Sequence, residues 1–292
     1  MKNILFATTA LVATAGIASA DITMTGSANV GLKYAEDRAA SGDSNDDVIV
    51  HNELDFNVVA SGESDNGITF GASFDLDTGE ADQVVDSGSG ANDPTVYFAM
   101  NGLTVSVGDV GSAGVVLNTA EVGFDGLDTN THVDNVDNAA LNADVHVSYA
   151  MGDYTISASI GSDTDDTGFS VSGSTGDLTY AVGFASDDSA NIDYTSFGVG
   201  YTMGAYNFQA AMVSQDNPTG TADTDNYGFS VAYSVDEALT ITAAMSDTDE
   251  AGVDAAYGIG AAYDLGGGVA LKGAFGSVGD KNVADLGLTM SF

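Results

Sequence analysis

The chain has 292 residues, of which 43 are Asp or Glu and 5 are Lys or Arg, so its formal net charge is -38. So few cations exclude a nucleic-acid partner, because affinity for a phosphate backbone comes mainly from Lys and Arg. The lack of Cys excludes disulfides, a thiolate nucleophile and Cys-ligated metal sites. Disorder is also excluded, since 44% hydrophobic and 9% aromatic residues must be buried in a core or in lipid.

The start of the chain has the pattern of a secretory signal peptide. Lys2 supplies a basic start, residues 4–17 are apolar or small, and Ala18–Ala20 fits a cleavage site. The apolar run is shorter than the about 20 residues that a spanning helix needs. We therefore expect residues 1–20 to be a signal peptide and residues 21–292 to form the mature domain.

Beyond this segment, apolar and polar residues alternate along most of the chain. In residues 22–34 the even positions are apolar or small, so that one face of a strand is apolar and the other is largely polar. No window of comparable length has helical spacing. The alternation predicts sixteen strands, near residues 21–34, 48–60, 68–76, 95–101, 102–109, 144–150, 154–161, 168–174, 178–185, 194–202, 206–214, 227–234, 238–246, 255–264, 269–276 and 283–292.

The connections between these strands alternate in length. Short turns such as 151–153 and 203–205 alternate with longer acidic loops such as 35–47 and 77–94. Outer-membrane barrels have short turns at one rim and long polar loops at the other. A closed barrel with lipid outside and water inside also suits strands whose second face is polar. We therefore predict an all-β fold, a transmembrane antiparallel barrel of sixteen strands.

The end of the chain resembles a known family. Its last strand alternates up to a terminal Phe292 and so resembles the assembly signal of bacterial outer-membrane barrels. The segments 257–268 and 283–287 look like the end of the alphaproteobacterial porins of the Rhodobacter type. Gly71–Phe74 and Glu121–Phe124 also resemble that family. The similarity extends over the mature chain and is weakest in the loops.

The resemblance implies a homotrimer of sixteen-stranded barrels, each with a pore narrowed by an infolded third loop, and calcium bound near that loop. In this sequence the third long loop is Val110–Ala143, the longest stretch without a strand pattern. We expect it to constrict the pore; a surface flap is the alternative. Its acidic residues Glu121, Asp125 and Asp128 are the expected constriction residues and calcium ligands.

The wall that faces this loop departs from the family, whose members present basic residues there. Polar-face alternation on the first three strands instead predicts an acidic wall. The expected constriction residues of the wall, with Arg38 in the loop above it, are Lys33, Arg38, Glu53, Asp55 and Asp75. Lys272, on a later strand, is either a second lumenal cation or ordinary surface. Acidic rings favour cations in a pore, so we expect cation selectivity.

No catalytic constellation is present in the sequence. His51, His132 and His146 are scattered, and no Gly-x-Ser-x-Gly motif accompanies them. We therefore expect no enzyme activity and no cofactor except calcium. Acidic runs such as Asp163–Asp166 and Asp247–Glu250 are either solvated loops or cation sites, and divalent ions there could bridge to lipopolysaccharide.

These features predict a general-diffusion porin of the bacterial outer membrane. Small hydrophilic solutes and ions would cross its water-filled pore passively. The alternative is a secreted acidic β protein stabilised by calcium, of the adhesin or β-solenoid type. Richness in Gly and Asp favours this alternative, but the chain has no Gly-Gly-x-Gly-x-Asp repeat.

Overall fold

The computed structural model describes residues 21–38, 47–78, 90–91, 94–114, 119–133, 141, 143–217 and 223–292. The expected signal peptide, residues 1–20, lies outside these described residues. Within the described ranges, no helix is long and apolar enough to cross a membrane.

The described elements are strands. They are β1 (Asp21–Ala35), β2 (Val48–Glu63), β3 (Thr69–Thr78), β4 (Gly90–Ala91), β5 (Thr95–Met100), β6 (Leu103–Val110), β7 (Ala143–Met151), β8 (Tyr154–Ile160), β9 (Thr167–Thr175), β10 (Leu178–Asp187), β11 (Ile192–Met203), β12 (Tyr206–Asp216), β13 (Thr224–Ser234), β14 (Leu239–Thr248), β15 (Ala256–Gly266), β16 (Val269–Val278) and β17 (Lys281–Ser291).

These strands close into one antiparallel barrel with sixteen positions. Each strand pairs with its neighbours in the chain, and β17 pairs with β1, where Lys33 lies opposite Asp285. The two-residue β4 pairs with the end of β3, and β5 pairs with residues 69–73 at the start of the same strand, so β4 and β5 share one position in the barrel. The predicted barrel is therefore confirmed, and so is the tight hairpin at Asn101 and Gly102, whose φ angles of 52° and 85° fit a type I′ turn.

The barrel carries many large apolar side chains on its outside. Phe98, Phe197 and Phe275 are 50%, 46% and 68% exposed. The neighbouring inward positions are small and polar; Ser196 and Ser230, for example, are buried. A protein surrounded by water would bury such aromatic rings in a core. The two faces therefore fit a barrel that has lipid outside and polar side chains within.

Short turns and long connections lie at opposite rims. The turns at 152–153 and 204–205 lie at one rim. Both ends of the barrel chain lie there too, since the Gly26 N–H donates to the carbonyl of Phe292 at 2.8 Å. Longer connections lie at the other rim, with the exception of residues 279–280 between β16 and β17. Exposed tyrosines mark the short-turn rim, as an aromatic belt does: Tyr149, Tyr154, Tyr201 and Tyr206.

The described residues of the connection between β6 and β7, which are 111–114, 119–133 and 141, lie inside the barrel, and we call them the inner loop. Its Val122 and Leu127 are buried and pack against Ala244 of β14. Leu141 belongs to a second buried cluster on the inner wall. The buried apolar clusters thus lie between the inner loop and the wall, which confirms the predicted infolding of the third long loop.

Candidate functional site

Serine side chains of the inner wall hold the backbone of the inner loop. They come from β8, β11, β13 and β14, so the loop follows an arc around the barrel interior. The N–H groups of Ala113, Ala120 and His132 donate to Ser159, Ser230 and Ser246 at 2.8, 3.0 and 3.3 Å, and Ser196 donates to the Gly114 carbonyl at 2.9 Å. These hydrogen bonds pair loop backbone groups that would otherwise be buried at a cost.

Phe124 anchors the far end of this arc. Its side chain is 4% exposed and lies over Gly31 of β1 and Gly287 of β17, where an added Cβ would come within 2.8 and 2.7 Å of the ring. Its N–H donates to Oδ2 of Asp285 at 2.8 Å. Its ring meets the His51 ring edge to face, with centroids 5.6 Å apart. The ring of Phe124 therefore packs on two paired glycines of adjacent strands, which have no side chain to exclude it.

Asp125 attaches the loop to the wall by charge. Its Oδ2 accepts from Nζ of Lys33 at 2.5 Å, and its Oδ1 lies 3.2 Å from Nε2 of His51. Glu53 Oε2 lies 4.0 Å from the same nitrogen and accepts from Nδ2 of Asn29 at 3.1 Å. The His51 side chain is fully buried and that of Asp125 is 9% exposed. Lys33 thus offsets the cost of burying a carboxylate.

Among the predicted loop acids, Asp125 lies in this cluster, whereas Glu121 and Asp128 are exposed. In the part of the chain that the structure describes, one group of three side chains brings potential metal-ligand atoms together, and it comprises His51, Glu53 and Asp125. The structure therefore does not gather the three expected calcium ligands of the loop into one such group.

The predicted wall acids lie on the inner face. Asp55 of β2 and Asp75 of β3 are both half-buried, and Asp55 accepts from the hydroxyl of Ser27 at 3.0 Å. Lys272 of β16 lines a pocket with Phe124, on the side of the loop nearer the short-turn rim. Lys272 is therefore a lumenal residue rather than part of the outer surface.

Arg38 lies half-buried in the turn after β1, at the long-loop rim. In the same turn, Glu36 accepts from the backbone N–H of Asn282 at 3.1 Å and from its side-chain amide at 2.6 Å. These two hydrogen bonds hold the pKa of the Glu36 carboxyl below its usual range, and the one from the backbone N–H has the larger effect. Glu36 therefore remains ionised at neutral pH.

The sequence alone assigns no role to His51 and Asp285. Strand alternation does place His51 on the same inward face as Glu53, and this alternation is the feature of the sequence that could have indicated a site there. The contact of Asp285 with Phe124 joins residues 161 positions apart, and no local spacing encodes it.

A closed barrel with an apolar exterior, a polar interior and an infolded loop defines a membrane channel of the porin class. The chain matches the Gram-negative porin family over residues 7–283 and belongs to that family. It lies in the outer membrane, where its barrel forms a channel for solutes and ions.

Individual relatives agree with this assignment. The chain is 29% identical over 306 residues to the porin of Fuscovulum blasticum, covering 93% of this chain and 100% of that one. An engineered variant of the Rh. blastica porin superposes with a TM-score of 0.76 at 26% identity, and it too is matched over 93% of this chain and 100% of its own. A triple mutant of the Rhodopseudomonas blastica porin has a TM-score of 0.74 at 27% identity with the same coverage, 93% and 100%.

Asp285→Ala is expected to loosen the inner loop. The change leaves the buried N–H of Phe124 without its acceptor, at a cost of about 1–3 kcal/mol in loop attachment. Single-channel recording should show a larger and noisier conductance, while heat-modifiable migration shows that the barrel still folds. Asp153→Ala, in an exposed turn, is the control and should conduct as the unchanged protein does. A quiet, unaltered conductance of Asp285→Ala would contradict this account of the loop.

Proposed function

We propose that the protein is a general-diffusion porin through which small hydrophilic solutes and ions pass passively. The observation that carries this proposal is the inner loop, whose described residues lie against the wall and narrow the polar interior of the barrel. It is hydrogen-bonded along the wall from Ser159 to Asp285, so its position is fixed. A fixed polar constriction selects solutes by size and charge.

Reconstituted protein tests this proposal. Proteoliposomes should swell in small sugars and more slowly in larger ones, and planar bilayers should show stepwise conductance. The alternative, a secreted acidic β protein of the adhesin or solenoid type, predicts a protein that stays soluble without detergent and gives no steps; the closed barrel does not favour it. We propose no catalytic role, since the relatives are porins.

We further propose that the pore prefers cations. Lys33 supports this preference because Asp125 already neutralises it at 2.5 Å. The wall acids Glu53, Asp55 and Asp75 then contribute negative charge near the ion path. At about 0.15 M salt the Debye length is roughly 8 Å, so only charges close to the path act and the preference should fade as salt rises.

A reversal potential under a KCl gradient measures this preference. Asp55→Asn combined with Asp75→Asn should lower the cation-to-anion permeability ratio by a factor on the order of two, because two lumenal charges are lost. Asp153→Asn makes the same chemical change outside the lumen and should leave the ratio unchanged. An anion-selective sign for the unchanged protein would reject the proposal.

We also propose a homotrimer. The wall at β5 and β8 is low, with six and seven residues per strand. Seven residues at about 3.3 Å each, tilted by about 45°, span about 16 Å of an apolar band about 25 Å tall. A neighbouring protomer would cover exposed residues of this wall such as Phe98 and Ile160. Light scattering in detergent should give about three times the protomer mass; a monomeric mass would refute this.

Calcium is proposed as a stabiliser of the acidic outer loops. Asp166 and Asp187 are buried, at 2% and 0% exposure, and the N–H of Asp188 donates to Asp166 at 3.1 Å, so the two loops meet. The sequence has no Lys or Arg between Arg38 and Lys272. Buried carboxylates are costly without a cation, and calcium accepts such oxygen ligands. Divalent ions at this rim would also bridge to lipopolysaccharide.

Thermal unfolding in detergent, with calcium or with chelator at matched ionic strength, tests the calcium proposal. Calcium at 100 times its dissociation constant should stabilise the folded protein by about 2.7 kcal/mol. Asp187→Asn should lose most of this gain, whereas Asp163→Asn, exposed in the same loop region, should keep it. Equal gains in the two variants, or no gain in any protein, would count against it. For Glu121, Asp125 and Asp128, calcium binding stays a prediction.

A further inference from the structure

Three side chains from two distant parts of the chain present ligand atoms to one point under the inner loop. His51 and Glu53 are two residues apart on β2, so strand alternation turns both inward, and Asp125 comes from the loop. One ligand atom from each lies within 4.8 Å of those of the other two. The shorter separations are 3.2 Å from His51 Nε2 to Asp125 Oδ1 and 4.0 Å to Glu53 Oε2.

These separations are close to those between the ligands of one metal ion. Nitrogen and oxygen ligands lie about 2.0–2.2 Å from Zn²⁺, so two of them at a tetrahedral angle are about 3.3–3.6 Å apart. The His51–Asp125 separation is already near that spacing, and the His51–Glu53 separation of 4.0 Å exceeds it by about 0.4–0.7 Å. We infer that His51, Glu53 and Asp125 form a binding site for a divalent transition-metal ion, with Zn²⁺ as the representative ion.

The donor set indicates the class of metal. An imidazole nitrogen with two carboxylates suits zinc, cobalt and nickel, whereas calcium and magnesium select oxygen ligands alone. Three protein ligands leave a fourth position for water or a solute, as in open zinc sites. A metal at this point is therefore distinct in chemistry from calcium bound by acidic loops.

Neighbouring side chains already orient the ligands. Lys33 binds Oδ2 of Asp125, which leaves Oδ1 directed towards His51. Asn29 donates to Glu53 at 3.1 Å. Such outer partners fix ligating carboxylates in metal sites. The carboxylates of Glu53 and Asp125 meet here beside the ammonium of Lys33, and carboxylate oxygens attract a divalent cation.

Metal binding would affect the channel, and this consequence rests on the proposed function. Coordination bonds would join β2 directly to Asp125 and so tighten the attachment of the inner loop. The ion would also neutralise carboxylates near the path of permeating ions. Micromolar Zn²⁺ should therefore reduce open-channel noise and lower the cation preference.

The binding itself is tested without any measurement of conductance. Folded protein in detergent is titrated calorimetrically with zinc chloride, in a buffer that contains excess calcium. We expect one equivalent of Zn²⁺ to bind, and His51→Gln to weaken binding by at least about tenfold. His146→Gln is the matched control, because His146 also lies inside the barrel, with Nδ1 2.9 Å from the Gly111 carbonyl oxygen. The His146→Gln variant should bind Zn²⁺ with the same affinity as the unchanged protein.

Cobalt supplies a second readout. Co²⁺ at the site should give visible absorption bands that zinc displaces and that His51→Gln abolishes. Glu53→Gln is the second variant should His51→Gln fail to fold, as judged by heat-modifiable migration, and it too should bind at least about tenfold more weakly.

The possible results distinguish a failure of the proposed metal site from a failure of the proposed porin function. Equal zinc affinity in the unchanged protein and in the folded ligand variants overturns the inference, and so does the lack of any binding. A protein that conducts but binds no zinc refutes the site alone. A protein that binds zinc through His51 but never conducts supports the site and refutes the proposed function.

Discussion

A backbone N–H or C=O group that faces lipid must find its partner within the protein, and the rest of this structure depends on that constraint. A sheet satisfies it by closing, and the pairing of β1 with β17 removes the last free edge. Closure then fixes the chemistry of both faces. Side chains on the outer face meet lipid and are apolar, while those on the inner face meet water and the inner loop and are small or polar.

The same constraint acts again on the inner loop. Its backbone lies against a wall whose own N–H and C=O groups are already used in the barrel ladder, so its partners on the wall have to be side chains. Serine is suited to this because its hydroxyl both donates and accepts and needs little space. Ser230 accepts from Ala120, and Ser196 donates to Gly114. The small polar residues that the alternation places inward are thus the means by which the loop is held.

The sequence predicts what depends on alternation and length. The alternation of apolar and polar residues predicts the sixteen strands. Along β2, the same alternation places Glu53 and Asp55 on the inner face of the barrel. The contact of Lys33 with Asp125 could not be obtained in this way. It requires the seat of Phe124 over Gly31 and Gly287, two residues that become neighbours only when the first and last strands pair. Glycines in a strand pattern carry no signal of which ring will cover them.

The small number of cations gives Lys33 a particular importance. Most of the described acidic side chains are at least partly exposed to water, but Asp125 lies inside the barrel with the loop, and its charge needs a partner there. Lys33 supplies that partner, and in doing so it ceases to act as a free positive charge on the wall. Because its charge is paired with Asp125, Lys33 contributes little to the electric field across the pore. If the pore prefers cations as proposed, the ion pair of Lys33 with Asp125 both attaches the loop and contributes to that preference.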